Sequence, residues 1–194
     1  MIGEIVISGG VRRSALISLS DLDDREMSRA KTGPWWEHEG HRALANNSAV
    51  YTSKPSLGRF MEEWSALYDS RSGERGICNR EAMDMIANSS GRESCDWGTN
   101  PCSEIILRPQ QFCNLTEVVI KPYDNLPTLR HKVRKATILG TIQAACTRFT
   151  YLGPEWKANC EEERLLGVSF TGIYDNKLMS TPGTELNEIL IELR

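Results

Sequence analysis

Short β-branched runs alternate with amphipathic helical stretches along nearly the whole chain, and this alternation leaves few architectures open. Strands that succeed one another through helices must pair in parallel, with the helices covering the sheet, so the sequence is read as α/β. Strands are expected over residues 4–8 and 14–19, around a Gly9-Gly10 bend, and over 46–52. A short helix over 21–31 starts on Asp21, Asp23 and Asp24, which suit the positive end of a helix dipole, and stops at Gly33-Pro34. Residues 35–40 read as a loop. Ser56 is the candidate N-cap of a helix reaching residue 68, with Phe60, Trp64 and Leu67 as its core stripe. Another helix is expected over 79–87, followed by a Ser-, Gly- and Asn-rich loop over 88–99.

Farther along, residues 101–107 and 112–120 are expected as two neighbouring strands joined at 108–111. Behind Pro127, the positions of Leu129, Val133, Ala136, Ile142, Cys146 and Phe149 trace a helix of about six turns. A helix over 155–166 is expected to end on Gly167 as a left-handed cap, with a strand over 168–174 after it. The last helix, entered through Thr181-Pro182-Gly183-Thr184, still runs at Arg194. The first strand begins at the N-terminus with nothing to pair it, and the last helix has no stop signal. The sequence is therefore expected to be a piece of a larger domain.

Composition narrows the function classes. The chain has 194 residues, 40% hydrophobic and 25% charged, which is globular rather than disordered. Its 23 Lys and Arg against 26 Asp and Glu give a net charge of −3. Such a balance provides no domain-wide positive field for nucleic acid or anionic lipid. No apolar run approaches the roughly 20 residues that cross a bilayer, and no secretory signal is visible, so the cytoplasm is the expected location. The six cysteines form no C-x-x-C pair and read as thiols in a reducing compartment.

The sharpest local pattern is Asn100-Pro101-Cys102-Ser103-Glu104. In extended backbone, alternate side chains share a face, so Asn100, Cys102 and Glu104 would present an amide, a thiol and a carboxylate together. These are a group that orients a hydroxyl, a nucleophilic or atom-transferring sulfur and a proton acceptor. Cys113, across the expected turn, either lines the same cavity or is a small buried hydrophobe.

Asn100 to Ile105, followed by Phe112-Cys113-Asn114-Leu115, closely resembles the active-site finger-loop region of ribonucleotide reductases. The likeness is greatest to the adenosylcobalamin-dependent class II enzymes that act on ribonucleoside triphosphates. Further matching segments occur in order at residues 9–15, 42–50, 76–81 and 167–173. The resemblance implies a ten-stranded α/β barrel of the ribonucleotide reductase and glycyl-radical type, with residues 1–194 as its central part, truncated at both ends. Cys102 would carry the thiyl radical that removes the ribose 3′ hydrogen. Glu104 would take the 3′ hydroxyl proton, Asn100 would hydrogen-bond the ribose hydroxyls, and Cys113 would be one of the two reducing thiols. In the family, Cys102 lies on a loop threaded through the barrel, so its segment is a strand or an extended finger.

The same resemblance implies adenosylcobalamin as cofactor, with a ribonucleotide substrate, an allosteric nucleotide and a thioredoxin-like reductant as partners. The second redox cysteine, the phosphate-binding part and the C-terminal shuttle cysteines of the family would lie outside residues 1–194, so other fragments of the same enzyme are expected partners. Two other readings share the motif: a large-subunit fragment of a diphosphate reductase, and a non-catalytic nucleotide-binding remnant. Cys78, Cys95, Cys146 and Cys160 are read as structural or incidental, and His38 and His41 as surface residues rather than metal ligands. Arg12-Arg13 either meets a phosphate or forms a solvated turn. Asn46-Asn47-Ser48 either borders the substrate region or is polar strand edge, and Trp35-Trp36 reads as packing or a lid.

Overall fold

The computed structural model describes residues 15–193. The strand expected over 4–8, the Gly9-Gly10 bend and Arg12-Arg13 lie outside the described residues. The chain divides into two compact units, Met1–Pro109 and Gln110–Arg194.

In the first unit, β1 (Leu16–Asp21), β2 (Ala45–Tyr51) and β3 (Gly76–Asn79) form a parallel sheet in the order β1-β2-β3. Ile17 lies opposite Asn46, and Val50 opposite Cys78. Central β2 is the most buried strand, with Ala49, Val50 and Tyr51 all in the core. Asp24 caps the helical turn Arg25–Ser28 by accepting from the Met27 N–H at 2.9 Å. This helix is shorter than expected because Arg29 leaves the helical region at φ −114°. Residues 35–40, read as loop, hold the helical turn Trp35–His38, and a 3-10 helix spans Gly40–Leu44.

Helix α1 (Leu57–Ser70) starts on Ser56, whose hydroxyl accepts from the Arg59 N–H at 3.3 Å, as its sequence predicts. The expected core stripe does not hold. None of the α1 residues is buried, and Trp64 is 52% exposed, its ring stacked on Phe60 at 6.3 Å. Leu57, Met61, Trp64 and Tyr68 instead form an outward apolar row at helical spacing. Strand β3, Gly-Ile-Cys-Asn, is too short for alternation to betray it, and its last residue is the N-cap of α2 (Arg80–Ser89).

The expected strand over 101–107 is also corrected. Only β4 (Gly98–Thr99) and β5 (Ile106–Leu107) are extended, and they pair antiparallel as a hairpin. Ser103 breaks the run between them with a left-handed φ of 66°.

In the second unit, β6 (Asn114–Val119) runs parallel to β7 (Leu166–Thr171). Strands β5 and β6 are therefore not partners, and the turn between them carries Pro109 and a left-handed Gln110 at φ 56°. Helix α3 (Leu126–Ala144) opens with a reciprocal capping box between Asn125 and Thr128. Its Leu129, Val133 and Ala136 pack with Val118 and Ile120 into one core. The buried stripe then continues through Gly140 and Ala144, leaving Ile142 61% exposed and Cys146 outside the helix. A Cβ on Gly140 would lie 3.5 Å from Leu166 and 3.6 Å from Thr116, so the small residue lets α3 approach both strands.

Helix α4 (Pro154–Glu163) ends on Arg164, left-handed at φ 46°, and not on Gly167, which lies inside β7. Gly172 has φ +77° and an added Cβ would fall 2.4 Å from the Ile120 carbonyl oxygen, so only glycine fits there. A 3-10 turn (Ile173–Asp175), the helical turn Lys177–Ser180 and α5 (Thr184–Leu193) complete the unit. The buried Asn176 amide ties these parts together, donating to the carbonyls of Lys121 and Asp124 at 2.8 and 2.9 Å.

The α/β class and its parallel pairing hold. Among the described residues, however, the strands form sheets of three, two and two, with no closed barrel. Closure requires strands tilted and staggered around a complete ring. No helix among the described residues is long and apolar enough to cross a membrane.

Candidate functional site

Asn100, Cys102 and Glu104 all lie on the loop of residues 100–105 that joins β4 to β5. All three fall on a turn and not on a strand, so the expected alternation onto one face does not apply to them. The Ser103 N–H donates to the Asn100 carbonyl at 2.9 Å, closing a β-turn with Pro101 at its second position. Proline presets φ for that position, which explains why the turn falls here. The Asn100 side chain closes the loop a second time, its Oδ1 accepting from the Ile105 N–H at 3.0 Å. A third bond comes from the sheet, where Asn46 of β2 donates from Nδ2 to the Pro101 carbonyl at 2.7 Å. Cys102, between these ties, is exposed and a free thiol, and Glu104 is also exposed.

The base of the hairpin is fixed by an apolar anchor with polar guy-lines. Trp97, immediately before β4, is fully buried, and its Nε1–H donates to Asp84 of α2 at 2.9 Å. The Arg92 guanidinium lies 4.5 Å from the Trp97 ring centre and donates to the Ile106 carbonyl of β5 at 3.0 Å. The Trp97 hydrogen bond, with smaller help from Ser94 and Asn88, holds the Asp84 carboxyl below its ordinary range. Arg80 pairs with Asp96 at 2.5 Å on the same segment.

Cys113 belongs to the second unit, just before β6. With Cys146 and Cys160 it lines a cavity of about 210 Å³, walled by Phe112 and Phe149. Cys160 is buried, and its Sγ accepts from the Phe112 N–H at 3.2 Å, consistent with a structural role. Burial also pushes the Cys78 thiol above its ordinary pKa, against a smaller opposing effect of Arg80. Cys95 and Cys146 are exposed.

The remaining candidates are now placed. His41 pairs with Glu39 at 3.4 Å, and no group of three His, Cys, Asp or Glu able to hold a metal occurs among the described residues. Trp35 packs edge-on against Trp36 at 6.0 Å, with Lys31 over its ring. Asn47 is buried in the sheet and donates to the Met27 carbonyl at 2.9 Å. Sequence reasoning missed the Trp97, Asp84 and Arg92 anchor. Its one legible trace was a lone tryptophan in an otherwise polar stretch, which a reading of 88–99 as free loop passed over.

A hairpin carrying a thiol between an amide and a carboxylate, set in an α/β unit, fits the class of radical ribonucleotide reductases named by the motifs. No family model matches the chain. It is similar to curated adenosylcobalamin-dependent ribonucleoside-triphosphate reductases from Lacticaseibacillus paracasei, at 31% identity over 189 residues, and Lactobacillus acidophilus, at 31% over 188. A third, from Levilactobacillus brevis, is 29% identical over 187 residues. Each alignment takes in 90% of this chain and 23% of the relative. The resemblance read from the motifs is thus borne out along nearly the whole chain, and the chain spans less than a quarter of the length of these relatives.

Proposed function

We propose that the chain provides the radical-site hairpin of an enzyme that reduces ribonucleoside triphosphates to 2′-deoxyribonucleoside triphosphates. The observation that carries this reading is the loop 100–105, which bears Asn100, Cys102 and Glu104 and is tied at three points. Adenosylcobalamin, when bound, supplies the one-electron oxidation of a thiol. The free, exposed sulfur of Cys102 on the loop tip fits the receiving end of that chemistry.

In this reading the Cys102 sulfur radical takes the 3′ hydrogen of the ribose, forming S–H and leaving the unpaired electron on C3′. Glu104 accepts the proton of the 3′ hydroxyl as the 2′ hydroxyl, protonated by one of the two reducing thiols, departs as water. The Asn100 amide nitrogen orients the ribose hydroxyls while its oxygen stays on Ile105. Cys113 gives one of two thiols whose oxidation to a disulfide provides the two reducing electrons, and a thioredoxin-like dithiol restores the pair. A nucleotide bound elsewhere selects the base. Because Cys102 is exposed, the reading requires that substrate and the remaining length of such an enzyme cover the loop during turnover.

The test places this chain in the matching segment of the Lacticaseibacillus paracasei relative and assays deoxynucleotide formation with adenosylcobalamin and a dithiol. The chimaera is expected to turn over. Cys102→Ala is expected to abolish product, and Cys113→Ser to block multiple turnovers while sparing radical formation. Product from the Cys102→Ala chimaera, or none from the unmodified one, contradicts the reading.

A further inference from the structure

We propose that Asn46 is a positioning residue for Cys102, holding its backbone from the central strand of the sheet; this rests on the reading of Cys102 as the radical-bearing sulfur. The Pro101 carbonyl that Asn46 binds at 2.7 Å belongs to the peptide unit whose nitrogen is that of Cys102. That unit is planar, and the proline ring fixes φ on its other side. One bond to this oxygen therefore sets the plane from which the Cys102 side chain departs. The other two ties of the loop, Ser103 to the Asn100 carbonyl and Ile105 to the Asn100 side chain, are internal to it. They shape the turn but do not tether it to the sheet, so the turn opens more often once the outside tie is lost. Asn46 links the tip of the loop to a different element, across 55 positions of sequence.

Its own strand is well held. Asn46 sits in register with Ile17 of β1, and the adjacent Asn47 is buried and bonded to the Met27 carbonyl at 2.9 Å. Residues 49–51 of the same strand are all buried. The donor thus stands on the most buried strand of the unit, and the acceptor on a loop that carries the reacting atom. A hydrogen-abstracting sulfur must be placed to within a fraction of an ångström of its target, and misplacement by about 1 Å costs on the order of a hundredfold in rate. Holding a loop tip from outside is the service this geometry provides.

The test uses Asn46→Asp, which keeps the shape and removes the donor, and Asn46→Gln, which keeps the donor. In the full chain, hydrogen exchange at the Ser103 and Ile105 amides is expected to quicken roughly tenfold in Asn46→Asp, the size of one lost hydrogen bond. Exchange in β1, β2 and β3 should not change. In the chimaera, Asn46→Asp should lower kcat by roughly 10- to 100-fold with KM within about twofold, and Asn46→Gln should recover most of it. Unchanged exchange in the loop, or loss of protection across the whole sheet, overturns the positioning role. So does an unchanged kcat in a chimaera that Cys102→Ala inactivates. If Cys102→Ala leaves activity intact, it is the reading of Cys102 that fails, while the exchange measurement still judges the Asn46 tie.

Discussion

In the second unit, α3 and the β6–β7 pair meet through Val118, Ile120, Leu129, Val133 and Ala136, a continuous apolar core. In the first, the parts that matter are joined by polar clamps: Arg75 to the end of β1, Asn46 to the Cys102 loop, and Trp97 with Arg92 to the hairpin base. Apolar packing spreads its contribution over many contacts, each small. A clamp concentrates it in a few directional bonds, so it fixes one geometry and fails when a single partner is lost. A loop that must present a sulfur at one place needs the second kind of support.

The contrast can be broken most severely at Arg75. Its side chain is 2% exposed and forks onto both oxygens of Glu63 at 2.7 and 2.9 Å, with further bonds to Ser20 and to the carbonyls of Asp21 and Leu22. Arg75→Ala leaves the half-buried Glu63 with only Arg59, at 3.7 Å, and removes the bonds to β1, and is expected to cost about 3 kcal/mol in the first unit. Urea unfolding read with exchange should show the loss in β1 and β3 and not in β6 and β7. Equal loss in both units would contradict the separation.

Leu129→Ala probes the other side. Leu129 is fully buried at the centre of the second core, and its truncation is expected to cost about 2–5 kcal/mol. Exchange should quicken in α3, β6 and β7 while the 98–107 hairpin keeps its protection. Loss of hairpin protection would show that the clamps depend on that core.

The smallest expected effect is at Trp97→Phe, which keeps a ring and removes the bond to Asp84. The folded-state pKa of Asp84 lies below its ordinary value, chiefly through that bond. Its contribution is therefore present above the ordinary carboxylate range and is lost as pH falls through the folded-state value. Trp97→Phe should be less stable than the parent at pH 7, and the gap should narrow by pH 3. A gap independent of pH would mean that the tryptophan acts through packing alone.

The same contrast explains what could be read in the sequence. Helix α3 and strand β6 were legible because their apolar residues recur at the helix and strand periods, and α1 because Ser56 caps it. The Cys102 loop was legible as a set of residues and illegible as a shape. Alternation assumes extended backbone, whereas Pro101 and the left-handed Ser103 turn the chain there. The Asn46 tie spans 55 positions and follows no period, so the sequence did not offer it, and Asn46 read only as substrate border or polar strand edge. The α1 stripe failed for a different reason: periodicity marks an apolar face but not what covers it, and Trp64 stands half out in solvent.

The central claim is that the sulfur of Cys102 removes the ribose 3′ hydrogen, and a kinetic isotope measurement tests it most directly. Turnover of a 3′-deuterated ribonucleoside triphosphate by the chimaera should be slower than that of the protiated substrate. The deuterium should pass from C3′ to the Cys102 sulfur as S–D, and no such transfer should occur once that residue is alanine. Equal rates for the two substrates, together with deoxynucleotide still formed without the sulfur, would contradict the account.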